Sequence, residues 1–241
     1  MTKRSRILLL AGAAAVFSST TAAAFVSCTP EAVCAADAER GEKRELVVLL
    51  HGLGRTRLSM APLAWALERQ GYDVLNWGYS STSASIPELG TALSDRLASL
   101  EGPPPERVHF VGHSLGNVIV RWVLANRPPE NVGRVVMLAP PNQGSRAADR
   151  YAPWLGWLLR PLPELRTRDG STVRTLALPE GVEVAVIAGR YDGKVSVEES
   201  HLDGEKAHLV VPAAHTFLMN RADVRSLTLR FLGTGSFAPA R

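Results

Sequence analysis

Six short apolar, largely β-branched runs recur along the chain, at residues 46–50 (LVVLL), 73–77 (DVLNW), 107–111 (RVHFV), 134–139 (RVVMLA), 183–188 (EVAVIA) and 208–211 (HLVV). Near-continuous apolarity over four to six positions predicts strands covered on both faces, as in a parallel sheet. Between these runs the apolar spacing changes to three and four. In SIPELGTALSDRLASL, Ile86, Leu89, Leu93, Leu97 and Leu100 fall on one side of a helix, and Ser85 with Glu88 makes a capping box at its start. MAPLAWALERQG predicts a helix ending near Gly71, and Leu115, Ile119, Trp122 and Val123 mark another. NRADVRSLTLRFL predicts a last one, with Asn220 as N-cap and Val224, Leu227 and Phe231 turned inward. Strand alternating with helix predicts an α/β fold with a doubly wound, mostly parallel sheet of about six strands and flanking helices.

One stretch breaks this rhythm. Residues 141–178 are too long for an ordinary connection, and their centre, YAPWLGWLLRPLPELR, crowds Trp154, Leu155, Trp157, Leu158, Leu159 and Leu162 among prolines. Two readings stand: a short cap insertion packed on the domain, or an apolar lid over a lipid-binding cleft, with Trp154 and Trp157 touching substrate.

The chain's start changes how its charge is read. Lys3, Arg4 and Arg6 precede ILLLAGAAAVF, a run too short to span a bilayer comfortably, and SSTTAAA then supplies small residues. Residues 1–24 are therefore expected to be a signal peptide cleaved after Ala24, which makes the protein exported, to the periplasm or outside. An uncleaved anchor helix is the alternative. Lipidation at Cys28 is a third option, for which Phe25 is a poor fit. Of 27 basic and 23 acidic residues overall, the signal holds three basic and no acidic ones, which leaves 24 against 23. A near-neutral remainder argues against a nucleic-acid partner. Cys28 and Cys34 are the two cysteines, both within the predicted linker at 25–45, and cannot staple the core. The rest, residues 46–235, is long enough for one domain, and a composition of 46% hydrophobic and 21% charged residues over the full chain suits a globular one.

Candidate chemistry gathers at the ends of the predicted strands. Gly112-His113-Ser114-Leu115-Gly116 fits G-x-S-x-G, in which the serine occupies a tight strand-to-helix turn and projects its hydroxyl above the sheet. Three fixed positions are weak by themselves. The strand directly before and the amphipathic helix directly after supply the setting the pattern needs. A serine hydroxyl requires a base. Of six histidines, His215 follows the last predicted strand through PAA and precedes the last helix, so it hangs from the same sheet edge as Ser114. The base requires a carboxylate to hold its tautomer. Asp192, shortly after the strand at 183–188, is the candidate, with Asp203 as competitor. The order Ser114, Asp192, His215 is the one that accompanies this turn. Donors for an oxyanion are expected from the backbone N–H of Leu115 and of Leu53, the latter in the loop His51-Gly52-Leu53-Gly54; His51 and Gly52 are expected to line the substrate site.

LVVLLHGLG, FVGHSLGN, LAPPNQGS, GRYDGKVS and VVPAAHTFLM together resemble the α/β-hydrolase superfamily, and within it the small bacterial lipases and esterases; the similarity covers about residues 46–232. The resemblance implies cofactor-free hydrolysis of carboxylic esters through an acyl-enzyme. Two departures stand out: Asn117 replaces a second glycine found in many relatives, and the Trp-rich segment exceeds what the smallest lid-free lipases carry. The expected partner is a small-molecule or lipid ester, with contact to a membrane surface or lipid interface allowed by the apolar insertion. An acyltransferase, thioesterase or amidase could use the same three residues, and a non-catalytic lipid-binding module is the alternative of another class. No histidine and cysteine spacing predicts a metal site, and oligomeric state is not legible.

Overall fold

The computed structural model describes residues 44–239. The expected signal, nearly all of the linker, Cys28 and Cys34 lie outside the described residues. Six strands form one sheet: β1 (Glu45–Leu50), β2 (Asp73–Trp77), β3 (Arg107–His113), β4 (Val132–Leu138), β5 (Val184–Gly189) and β6 (Ala207–Val211). Every pairing is parallel and the order is β2-β1-β3-β4-β5-β6. Each expected strand lies within two residues of its place. The extensions have local causes: β3 continues through Gly112 and His113 because β4 pairs with them, and β4 begins at Val132, opposite Val108.

The helices are α1 (Ala61–Glu68), α2 (Ile86–Ala98), α3 (Leu115–Asn126), α4 (Arg146–Leu155), α5 (Thr172–Thr175), α6 (Val197–Ser200) and α7 (Ala222–Thr234). Strand alternation sorts the apolar residues onto the two faces of the sheet. Leu46, Val48 and Leu50 of β1 pack with α2, α3 and the 141–178 insertion, whereas Val47 and Leu49 pack with α1 and α7. Both strand faces are thus buried, which is why the sequence runs are apolar throughout. Each fully buried Leu or Phe, such as Leu93, Phe110 and Phe231, contributes about 2 kcal/mol of burial free energy.

Helix α2 starts as expected: Ser85 Oγ accepts from Glu88 N–H, and the Glu88 carboxylate accepts from Ser85 N–H. Helix α7 does not. Its N-cap is Arg221, because Asn220 is spent closing a 3₁₀ turn at His215–Asn220. The inward residues are Val224 and Phe231, joined by Thr228, which satisfies its hydroxyl on Val224 O at 2.8 Å; Leu227 is half-buried. His109 is a packed core residue whose Nδ1 accepts from Arg134 N–H at 2.8 Å. Among the described residues, no helix is long and apolar enough to cross a membrane.

Residues 141–178 form a docked insertion. Its near end is fastened by Ser145, which donates to Lys194 O at 2.6 Å and caps α4. Its middle is fastened by Glu164, which accepts from the free Ile86 N–H at the start of α2 (2.9 Å) and from Thr172 Oγ1 (2.8 Å). Arg121, buried on α3, donates to the carbonyls of Asn142 and Leu176 and so ties the two ends of the insertion together.

Candidate active site

The strand order turns around between β1 and β3: from β1 the chain steps to β2 on one side, and from β3 onward it steps the other way. In open parallel sheets the loops at the carboxyl ends of the strands flanking such a point leave a crevice between them. The β1 loop, His51–Gly54, and the β3 turn at Ser114 are those loops here.

Ser114 has φ 53° and ψ −120°, a left-handed conformation strained for a residue with a Cβ. Several contacts hold it there. Its N–H donates to Leu138 O at 2.9 Å. Asn117 Nδ2 donates to Ser114 O (3.2 Å) and to Leu138 O (3.0 Å), so one buried amide clamps the turn to β4. The flanking glycines are required by close approach. A Cβ on Gly112 would lie 2.4 Å from Asn117 Oδ1, and one on Gly116 would lie 2.6 Å from Leu50 O.

Ser114 Oγ lies 3.0 Å from His215 Nε2, and His215 Nδ1 lies 2.6 Å from Asp192 Oδ2. A carboxylate only accepts, so Nδ1 carries the proton and Nε2 is left as acceptor for the hydroxyl. Asp192 is itself fixed: its Oδ1 accepts from the N–H groups of Lys194 (2.8 Å) and Val195 (2.9 Å), and its side chain is 1% exposed. The competitor Asp203 is exposed and lines a different cleft, together with Arg121.

His113, inside the serine turn, plays a part that its motif position does not suggest. Its Nε2 lies 3.0 Å from the carbonyl oxygen of His215 and must donate to it, so it holds the backbone of that residue. Burial, and then the neighbouring His215, push the His113 imidazole down to about 3, which keeps it neutral at ordinary pH. A neutral ring there adds no charge beside His215, whose ring centroid is 4.9 Å away.

These groups open onto a cavity of about 210 Å³. The reacting side is lined by Gly52, Leu53, Ser114 and His215, and the opposite wall is apolar, with Tyr151, Leu155, Leu159 and Leu162 of the insertion among its residues. The N–H groups of Leu53 and Leu115 donate to no protein acceptor among the described residues. The following amide, Gly54 N–H, is taken by Ser81 Oγ at 3.0 Å, which fixes the loop.

Three expected substrate contacts are not brought to this cavity. His51 is fully buried beneath the loop, with its ring stacked on Tyr79 at 4.0 Å and its carbonyl taken by the Tyr79 hydroxyl. Burial lowers its pKa. Trp154 and Trp157 are 77% and 80% exposed; on α4 the side that faces the core is carried by Ala148 and Ala152, and Trp157 lies just beyond the helix end. Trp157 Nε1 donates to Trp154 O at 3.0 Å, which ties the Trp157 ring to the backbone of Trp154.

Residues 45–173 match a family described as the alpha/beta hydrolase fold. Among solved structures, the mature form of Bacillus licheniformis lipase BlEst2 is similar, with a TM-score of 0.60 at 18% identity over 80% of this chain and 92% of that one. A hydrolase from Pseudomonas aeruginosa PA01 gives 0.58 at 19% identity, over 80% and 91%. Phospholipase PlaB from Legionella pneumophila gives 0.61 at 18% identity, over 81% of this chain and 58% of that one. At these identities the likeness is one of fold. No curated protein matches the sequence.

Proposed function

Because the chain belongs to the alpha/beta hydrolase family, we propose that it is a serine-dependent carboxylic ester hydrolase of the lipase and esterase kind, with Ser114 as nucleophile, His215 as base and Asp192 as the residue that orients it. The supporting observation is the continuous relay from Asp192 through His215 to Ser114, at 2.6 and 3.0 Å, facing an apolar cavity.

In this mechanism His215 Nε2 takes the Ser114 proton as Oγ attacks the ester carbonyl. The carbonyl oxygen becomes an oxyanion, received by the free amides of Leu53 and Leu115, with the α3 N-terminus behind Leu115 favouring the negative charge. His215 then gives its proton to the leaving alcohol. The acyl group stays on Ser114 until water, activated by the same imidazole, releases it. Asp192 keeps Nδ1 protonated and offsets the imidazolium charge during both steps.

Cavity size bears on the substrate. About 210 Å³ is below the roughly 300–1,000 Å³ of sites for drug-sized ligands, which favours esters with one short acyl chain. The rim of Trp154, Trp157 and Leu158, all more than half exposed, suits contact with a lipid or membrane interface just outside it.

Fluorophosphonate labelling and 4-nitrophenyl ester hydrolysis test the proposal together. Ser114→Ala should lose labelling and roughly 10⁴-fold or more in kcat while keeping the parent's circular dichroism. An active Ser114→Ala protein would end the proposal. Nitrophenyl butyrate should be turned over faster than the palmitate, and product analysis with a competing alcohol separates hydrolysis from acyl transfer.

A further inference from the structure

We propose that His201, Glu205 and His208 form a binding site for one divalent transition cation of the zinc class. The three residues span the turn between α6 and β6. Sequence spacing predicted no metal site, but the turn folds the three side chains onto one point. His201 Nδ1 lies 2.7 Å and His208 Nδ1 2.8 Å from the same oxygen, Oε1 of Glu205. The three ligand atoms all lie within 4.8 Å of one another. The two imidazole rings are 3.9 Å apart, tilted by 34°.

The hydrogen bonds around the cluster leave a place for positive charge. Ser200 Oγ donates its one hydrogen to Val197 O at 2.6 Å, so toward His208 Nε2, 3.4 Å away, it can only accept. A neutral imidazole carries one ring hydrogen, so it cannot donate both to Ser200 Oγ at 3.4 Å and to Glu205 Oε1 at 2.8 Å. A hydrogen on Nδ1 serves Glu205 and leaves the Ser200 contact unmet, whereas a metal ion on Nδ1 with the hydrogen on Nε2 serves both. His201 Nδ1 makes its own demand on that oxygen. A single divalent ion held by both Nδ1 atoms and Oε1 answers both at once.

Outer contacts already orient the ligands as a metal site requires. Glu205 Oε2 accepts from Leu202 N–H at 3.1 Å, which fixes the carboxylate, and Ser200 holds the far nitrogen of His208. Glu205 and His208 are 13% and 11% exposed, whereas His201 is 55% exposed and supplies an entry side. Two imidazoles and one carboxylate suit zinc or its neighbours, with water completing a tetrahedron; magnesium and calcium prefer all-oxygen shells. Accepting zinc requires the ligand atoms to spread to ~3.3 Å from one another; rotation of the exposed His201 ring supplies this on one side, and the His208–Glu205 pair, now 2.8 Å apart, opens slightly on the other.

None of the three residues lines the Ser114 cavity, so the inference does not depend on ester hydrolysis. The ion would brace the connector between Asp192 and the strand leading to His215. That connector is already sewn to the insertion by Asn142 Nδ2, which donates to Ser200 O at 2.9 Å, and by Gln143 Nε2, which donates to His201 O at 3.0 Å.

Untagged full-length protein, stripped with a chelating resin, is titrated with zinc chloride in a calorimeter and with cobalt(II) by visible absorption. One equivalent of zinc should bind, and cobalt should give the intense d–d bands of a four-coordinate site. His201→Gln, a change at an exposed side chain that leaves the fold intact, should weaken zinc at least tenfold, and His201→Gln with His208→Gln should abolish the cobalt bands. Zinc at a hundredfold excess over its Kd should raise the parent's Tm by roughly 5 °C or more and leave the double variant's unchanged. No binding by the parent, or equal binding by parent and double variant, overturns the proposal; the latter would move the metal to other ligands such as Cys28 and Cys34.

Discussion

Asn117 shows how much depends on one side chain outside the relay. Its amide holds both Ser114 O and Leu138 O, and those bonds keep a left-handed serine at the end of β3. Asn117→Ala removes one of the two donors on each carbonyl, leaving Ser114 O with Asn117 N–H and Leu138 O with Ser114 N–H, and frees the turn to relax toward ordinary φ. We expect a stability loss of about 1–3 kcal/mol by urea denaturation and a roughly tenfold to hundredfold drop in kcat, with KM nearly unchanged, because a shift well under 1 Å at Oγ disrupts attack geometry. A variant as fast as the parent would show that the strained turn holds itself. Position 117 was visible in the sequence as an asparagine where many relatives have glycine, but its purpose was not, since both carbonyls it reaches are placed by the pairing of β3 with β4. His113 was opaque for the same reason: its partner is a backbone carbonyl 102 positions away. The meeting of Ser114, Asp192 and His215 at one sheet edge was legible because each sits just past a strand, where direction along a parallel sheet fixes position.

At the scale of elements, the insertion carries the cavity's apolar wall, and Arg121 on α3 joins its two ends. Burial lowers the Arg121 guanidinium to about 10, so it stays charged at neutral pH, and it faces carbonyls rather than a paired carboxylate. In Arg121→Met the side-chain volume is largely kept while the carbonyls of Asn142 and Leu176 lose their donor. We expect a loss of about 2 kcal/mol, faster cleavage by thermolysin within residues 141–178, and a several-fold rise in KM for apolar esters, since Leu159 and Leu162 are positioned through that base. Unaltered proteolysis would mean that Ser145 and Glu164 suffice. The strands and long helices were legible because burial on one or two faces imposes period and length on the sequence. The insertion stood out by its length, but its inner fold was not legible. Its helices are short and broken by Pro153, Pro161 and Pro163, and aromatic content there predicted substrate contact for Trp154 and Trp157, whereas small alanines face the core and the large rings face out.

For the whole molecule, we expect buried histidines to set the acid limit. His51, His109 and His113 all have lowered pKa values with burial as the largest cause, and His113 falls to about 3. The unfolded chain binds a proton at each near pH 6.5. Below that value the unfolded state takes up protons that the folded state refuses, so stability present above pH 6.5 is lost as pH falls toward the folded pKa values. Glu183, Asp149 and Asp223 also have lowered values, but their losses begin only as pH falls through the carboxylate range. Destabilisation should therefore start as pH falls below about 6.5, before carboxylates titrate, at up to ~1.4 kcal/mol per pH unit for each fully suppressed histidine. Urea midpoints measured from pH 7.5 to 4.5 check this, and His113→Gln, which keeps a donor toward His215 O and cannot titrate, should flatten the slope in that window by about one histidine's share. An unchanged slope would mean that His113 takes up its proton in the folded state near the ordinary pH, and that the site around His215 is wetter than its burial indicates.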